Sequence, residues 1–208
     1  MKREIIACGL LACALAGCGA GGTENVLDPK ATAQLREVLS KGPQLPDGFA
    51  ERPDQAWQMP FTQGDRNCLA VLEPVGGQAP GQALTGQAAV SYRGDGLGEQ
   101  AGVGLARYAD GEAEEHLDEL ARAMESCREV RTSSGTDLRS QTLPLEVAAD
   151  EAVSARLRGR LNGYPYALDV VLSRVGDTLV SVVHTSMDDM DPARTREVVD
   201  AVLSMAGA

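Results

Sequence analysis

Alternation of apolar and polar residues dominates the second half of the chain and predicts β-strands with one buried face. Three Gly-containing turn signals separate these segments: Gly94-Asp95-Gly96, Asn162-Gly163 and Gly176-Asp177. The predicted strands are residues 83–93, 102–108, 152–160, 164–174 and 179–185. The last segment is almost continuously apolar, which indicates a central strand. Residues 128–132 and 138–147 are also predicted to be extended, and Pro144 favours an edge position for the second segment.

Apolar residues at helical spacing predict helices before, between and after the strands. The first helix begins at Asp28-Pro29 and the last at Asp191-Pro192, both typical of a cap followed by a first helical residue. The predicted ranges are 29–41, 66–72, 112–127 and a final helix from 192 onward. The strands are joined by hairpins, and the helices are set apart from the strands in the sequence. This arrangement predicts an α+β fold. We expect two layers, with a largely antiparallel central sheet flanked by helices.

The beginning of the chain has the pattern of a secretory signal. An apolar run over residues 5–15 follows Lys2 and Arg3. It ends in Leu15-Ala16-Gly17-Cys18, which resembles the lipobox of bacterial lipoproteins. A transmembrane helix is the alternative interpretation, but a span needs about 20 apolar residues and the glycines from residue 17 onward end this run earlier.

In lipobox proteins a diacylglyceryl group is attached to the cysteine, and the signal peptidase cuts just before it. The resemblance therefore implies a signal peptide at residues 1–17 and lipid attachment at Cys18. A flexible Gly-rich tether at 18–27 would then carry a domain at 28–208. We expect this domain to lie on the extracytoplasmic face of the cell membrane, held there by its lipid.

The formal charge is −11 over the whole chain. Residues 1–17 contribute +1 through Lys2, Arg3 and Glu4, so the remainder is near −12. An acidic protein of this kind is a poor match for nucleic acid and for anionic lipid headgroups. We expect no nucleic-acid partner.

The five cysteines fall into three groups. Cys8 and Cys13 lie in the predicted signal peptide, and Cys18 would carry the lipid. Cys68 and Cys127 are left as an even pair in an oxidising compartment, which favours a disulfide. Two free thiols or a metal site are the alternatives. A metal site needs more ligands, and His116 and His184 are the only histidines.

Several segments together resemble the PknH-like extracellular sensor domain of actinobacteria. These are Asn67-Cys68-Leu69, Met124-Glu125-Ser126-Cys127, residues 171–180 and the final helix led by Asp191. The family occurs on membrane serine/threonine kinases and on free lipoproteins. The resemblance implies a central antiparallel sheet flanked by helices, with a cleft proposed to bind a ligand. This chain has no kinase domain, so any signalling would need a partner.

The candidate functional residues are few. Trp57, Tyr164 and Tyr166 are candidates for lining a ligand cleft, although each of them could instead pack in the core. The segment from Gly96 to Ala101 fits a loose nucleotide-binding pattern, but a strand pattern follows it where a helix is required. Asp188, Asp189 and Asp191 are typical of an acidic lead-in to a helix cap. We expect no catalytic residues, no metal and no cofactor.

The sequence therefore predicts a membrane-anchored extracytoplasmic lipoprotein with a sensor-like, ligand-binding domain and no enzymatic activity. Its partners would be the cell membrane, through the lipid anchor, and an unknown small ligand or envelope protein. A structural or partner-binding envelope protein is the first alternative. The second is a hydrolase whose site combines scattered acids with His184.

Overall fold

The computed structural model describes residues 27–207. The helices are α1 (Pro29–Lys41), α2 (Arg66–Leu72), α3 (Glu112–Ser126) and α4 (Pro192–Ala206). A short 3-10 turn (Glu73–Gly76) follows α2. The strands are β1 (Leu84–Arg93), β2 (Gln100–Tyr108), β3 (Glu129–Arg131), β4 (Asp137–Thr142), β5 (Glu151–Leu161), β6 (Tyr164–Val175) and β7 (Thr178–Ser186).

All seven strands form one sheet in the order β1-β2-β7-β6-β5-β4-β3, and every neighbouring pair is antiparallel. The turn between β5 and β6 is at Asn162-Gly163, where both residues have positive φ (50° and 87°). Such backbone angles match the twist of the flanking strands, which explains why this pair marks a hairpin. Strand β7 lies between β2 and β6 with all nine residues buried, so the predicted central strand is confirmed.

Helices cover both faces of the sheet. On one face α2 and α3 pack against a core that includes Leu168, Val170 and Leu172 of β6. On the other face α1 and α4 pack against a second core that includes Val171 of the same strand. The predicted α+β class and antiparallel sheet are confirmed. The sheet is the middle of three layers where the sequence analysis expects two, because the apolar residues of the central strands occupy both faces.

One predicted extended segment is shorter in the structure. Strand β4 ends at Thr142, whereas the pattern predicts extension to residue 147. Pro144 lacks the N–H that would continue the ladder. After it the chain leaves the sheet, and Leu145 and Val147 pack against the core beneath α1 and α4.

The N-terminal end of the described chain lies beside the outer strand β1. The amide of Asp28 donates a hydrogen bond to the carbonyl of Thr85 (2.7 Å), at the start of that strand. The lipobox and residues 18–26 of the predicted tether lie outside residues 27–207. Within those residues no helix is both long and apolar enough to cross a membrane.

Candidate functional site

A chain of polar side chains is buried between the sheet and the first turn of α4. It consists of six residues from distant parts of the sequence, which we call the Asp169 network: Glu99, Arg156, Asp169, His184, Arg194 and Thr195. Strands β5, β6 and β7 supply three of them. The cap residue Asp191 accepts a hydrogen bond from the amide of Ala193 (2.9 Å) and so fixes the start of α4, which supplies two more.

The centre of the network is an ion pair in the interior. Asp169 is fully buried, and both of its oxygens accept hydrogen bonds from Arg156, at 2.5 and 2.6 Å. The hydroxyl of Thr195 also donates to Asp169 (2.7 Å). The hydrogen bond to Asp169 raises the pKa of Arg156. A buried carboxylate needs such partners, because an isolated charge in the interior is strongly destabilising.

The other end of the network joins a histidine to a glutamate. Nδ1 of His184 lies 2.9 Å from the hydroxyl of Thr195, which already donates its hydrogen to Asp169. The other ring nitrogen of His184, Nε2, lies 3.3 Å from Oε1 of Glu99. Glu99 also accepts a hydrogen bond from Arg194 at 2.6 Å.

Burial lowers the pKa of His184, although the nearby Glu99 carboxylate acts in the opposite direction. Arg194 already compensates that carboxylate, so the cost of burying an imidazolium dominates. Burial by itself raises the pKa of Glu99, but the hydrogen bonds from Arg194, the Gly96 amide and His184 outweigh it, and the net pKa is lowered.

These two shifts predict that the fold loses stability in acid. Below pH 6.5, the ordinary pKa of histidine, the unfolded chain binds a proton at residue 184 that the folded chain does not. The free energy of unfolding should therefore fall as the pH drops below 6.5, and again below 4.5 as Glu99 is protonated. Urea unfolding of the wild type and of His184→Gln at several pH values measures this effect. We expect a shallower loss between pH 6.5 and 5 in the variant, and parallel curves would contradict the assignment.

The centre of the Asp169 network is closed off from solvent. His184 is 2 % exposed, and Asp169 and Thr195 are as deeply buried. A general base must come within hydrogen-bonding distance of the proton that it removes. The network instead connects the loop before β2, three central strands and α4. Within residues 27–207 no group of three or more His, Cys, Asp or Glu side chains could hold a metal ion.

A cavity with a volume of about 940 Å³ lies beside Cys127. Met124 of α3, Leu143 and Val153 are among its apolar walls, and Arg128 and Arg196 are among its polar ones. Small-molecule sites commonly combine a mostly apolar surface with a few polar groups, in volumes of about 300–1,000 Å³. This cavity, which we call the disulfide cavity, has a volume in that range and walls that are about equally polar and apolar, and we take it as the candidate ligand site.

The predicted disulfide between Cys68 and Cys127 is confirmed. Their Cα atoms are 4.8 Å apart and their sulfurs are bonded. Cys68 lies in α2 and Cys127 directly follows α3, so the bond joins the two helices that cover one face of the sheet. Both cysteines are buried, and Cys127 also lines the disulfide cavity.

The three predicted ligand-contacting aromatic residues are not gathered in this cavity. Trp57 is 2 % exposed and lies against Gly102, where a Cβ atom would come within 2.6 Å of the Trp57 side chain. It lines a smaller cavity of about 300 Å³ with Phe61. Tyr166 is buried in the core beneath α2 and α3, whereas Tyr164 is 65 % exposed. Ligand contact by these residues stays a prediction.

Lipid attachment at Cys18 also stays a prediction, because residue 18 lies outside the described residues. The sequence interpretation overlooked the Asp169 network. One signal was present: Asp169 interrupts the apolar run of β6, and an acidic residue in a buried strand is rarely without a partner.

The comparisons with known proteins identify a fold and no family. No family model matches the chain, and no curated protein matches it. Among solved structures, the extracellular domain of PknH from Mycobacterium tuberculosis superposes with a TM-score of 0.54. The match covers 88 % of this chain and 94 % of that domain, at 11 % sequence identity. This chain has the PknH extracellular-domain fold.

The PknH-like fold that the sequence resemblance implies is thus confirmed, and at this identity the likeness extends to the fold alone. A second structure is a putative uncharacterized protein from Mycobacterium smegmatis, described as an Rv0999 ortholog. It matches with a TM-score of 0.43 and 14 % identity, over 85 % of this chain and 95 % of that one. That likeness is too slight to support an argument.

Proposed function

We propose that this chain is an extracytoplasmic lipoprotein whose PknH-like domain binds a ligand in the disulfide cavity and acts as a sensor. The observation that carries the proposal is the fold, which an extracellular domain shares over 88 % of this chain and 94 % of its own length. The lipobox-like Leu15-Ala16-Gly17-Cys18 supports the anchor, and a buried disulfide suits an oxidising compartment outside the cytoplasm.

Ligand binding rather than catalysis is the role we assign to the domain. The acid–base groups of the Asp169 network are buried and already hydrogen-bonded to one another, so they lack access to a substrate. The disulfide cavity, by contrast, combines room for a small molecule with both apolar and charged walls. In this proposal the ligand-bound state is transmitted through a partner protein.

The anchor is tested by replacing Cys18 with Ala in the full chain. The wild type should partition with membranes and into detergent, because a diacylglyceryl group supplies the two acyl chains that stable anchoring requires. The variant should appear in the soluble extracytoplasmic fraction or keep an uncleaved signal peptide. Membrane retention of a variant that is cleaved at the normal position would contradict the lipid anchor.

The ligand site is tested with two matched alanines, each on a helix and each at the wall of a cavity. Ala121 of α3 lines the disulfide cavity, and Ala201 of α4 lines a cavity of about 700 Å³ between α1 and α4. Envelope metabolites are screened by thermal shift against the wild type. A ligand present at about 100 times its Kd adds about 2.7 kcal/mol of stability.

We expect Ala121→Trp to abolish that shift, because the indole projects into the disulfide cavity and takes space that the ligand needs, and Ala201→Trp to preserve it. Loss of the shift in Ala201→Trp alone would place the ligand between α1 and α4 and contradict the proposed site. If no envelope metabolite stabilises the wild type, the ligand-binding role fails as well.

A further inference from the structure

The outer strands of the sheet carry a group of exposed arginines on one face. In the register of β4 and β5, Arg139 lies directly opposite Arg158, and Asp137 lies opposite Arg160. Asp137 also pairs with Arg131 of β3. Paired residues share a face of the sheet. We call this surface the arginine face and define it by Arg131, Arg139, Arg158 and Arg160.

The arginine face is on the same side of the sheet as α1 and α4, but these helices do not cover it. They pack against β1, β2, β6 and β7. The four arginine side chains are consequently exposed to solvent, Arg131 by 56 % and Arg158 by 58 %. The face is thus an open strip of sheet at the end where β5 turns into β6.

Arg139 is the arginine of this face that has neither an ion pair nor a side-chain hydrogen bond in the described residues. Arg139 has Arg158 of β5 directly opposite on one side and Glu129 of β3 opposite on the other. Like charges directly opposite one another on adjacent strands are destabilising, and an opposite charge in that position offsets part of the effect. Glu129 forms its ion pair with Arg131, at 3.1 Å, and within residues 27–207 the Arg139 side chain itself makes no hydrogen bond or ion pair. An external anion that contacts the guanidinium groups of Arg139 and Arg158 would relieve the remaining repulsion.

The chain itself shows that a carboxylate fits on this surface. Asp189 belongs to the acidic lead-in of α4, and its side chain is 92 % exposed. Its carboxylate nevertheless contacts Arg158 at 2.6 Å. An exposed ion pair of this kind contributes little to stability, so another carboxylate can replace it readily.

We propose that the arginine face binds an extended acidic segment of a partner protein, one with Asp or Glu at alternate positions. In an extended segment, alternate side chains lie on one side at a spacing of about 6.6–6.8 Å. Arg158 and Arg160 are also two residues apart on a strand and have that same spacing. The planar guanidinium groups suit bidentate contacts with carboxylates.

Two other anionic occupants fit the surface less well. Sites for single-stranded nucleic acid add aromatic rings on which bases stack. Tyr164 points away from the arginine face, because it shares the side of β6 that carries Tyr166 and Leu168. The second is an anionic membrane surface, and the start of the described chain lies at the opposite edge of the sheet from the arginine face. The described chain starts at β1, six strand spacings of about 4.8 Å from β3.

The test uses the full chain and two fluorescent peptides of equal length, one alternating Glu and Ser and one alternating Lys and Ser. Fluorescence anisotropy measures their Kd for the wild type and for Arg139→Gln/Arg160→Gln. The matched control is Arg36→Gln/Arg66→Gln, which removes two exposed arginines from α1 and α2. All substituted positions are exposed, so the melting temperatures should stay unchanged.

We expect the wild type and the control to bind the Glu peptide, with affinity falling as salt is added, and to leave the Lys peptide unbound. The Arg139/Arg160 variant should bind the Glu peptide about tenfold more weakly, since two exposed charge pairs together amount to about one factor of ten. Arg139→Glu/Arg160→Glu should reverse the preference, so that the Lys peptide binds and the Glu peptide does not.

Equal affinity of the wild type and the Arg139/Arg160 variant for the Glu peptide would overturn the proposal. So would stronger binding to anionic vesicles or to oligonucleotides than to the Glu peptide. Because these residues lie outside the disulfide cavity, that result leaves the ligand-binding function intact.

Discussion

Asp169→Asn is expected to lower the free energy of unfolding by about 3–5 kcal/mol, the range found when one partner of a buried ion pair is removed. The substitution keeps the shape of the side chain but leaves the guanidinium of Arg156 without its counter-charge, in a position where that side chain is only 14 % exposed. Urea unfolding followed by circular dichroism measures the loss. The slope with urea should stay the same, because the surface exposed on unfolding does not change.

The neighbouring arginine of the same strand provides the control. Arg158 pairs with Asp189 at 2.6 Å, nearly the same distance as in the buried pair. Asp189 is 92 % exposed, so Asp189→Asn should leave stability unchanged within the error of the measurement. If the two asparagine variants lose equal stability, burial is not what gives the Asp169 pair its importance.

Removal of the disulfide is expected to be comparably destabilising. The two cysteines are 59 residues apart, and closing a loop of that length in the unfolded chain corresponds to roughly 4 kcal/mol in the chain-entropy model. For a domain of this size, such a loss lowers the melting temperature by about 8–16 °C. Cys68→Ala/Cys127→Ala, measured by thermal unfolding without reductant, tests this expectation.

Reductant separates the loss of the covalent bond from the loss of packing. Cys68 is 1 % and Cys127 4 % exposed, so a reductant reaches the bond only when the protein opens. Urea unfolding of the wild type with reductant should approach that of the double variant, whose own curve should be insensitive to reductant. A wild-type curve that reductant leaves unchanged would show that the disulfide does not form.

The elements of the fold that could be predicted are those set by local pattern. Alternation located the five longest strands to within two residues at each end, and Asn162-Gly163 located a hairpin. The pairing of Cys68 with Cys127 followed from counting, since the other cysteines precede the domain. The sequence pattern did not predict that helices cover both faces of the sheet. A strand buried on both sides reads as a continuous apolar run, which does not say which helix covers which side.

The candidate sites depend on contacts between distant residues. Glu99 meets Arg194 across 95 positions of sequence, and His184 meets Glu99 across 85. Taken singly, each of these side chains belongs to a residue type that is common at the protein surface or at the start of a helix, so the sequence pattern did not single it out. Arg139 and Arg158 face one another only because β4 and β5 pair in one particular register. A shift of one residue would point one of the two arginines to the other side of the sheet.

The sequence by itself determined the class of fold, the sites of the turns and the pair of cysteines, because each depends on residues close in the chain or on a simple count. It also supplied the lipobox-like start, which stays a prediction. Only the tertiary structure decided that helices enclose both faces and that buried charges converge on Asp169. Only the tertiary structure showed the cavity beside the disulfide and the arginine face, which no helix covers in the described part of the chain. These features require strand register and helix packing, which are selected by burial summed over the whole chain and not by any single segment.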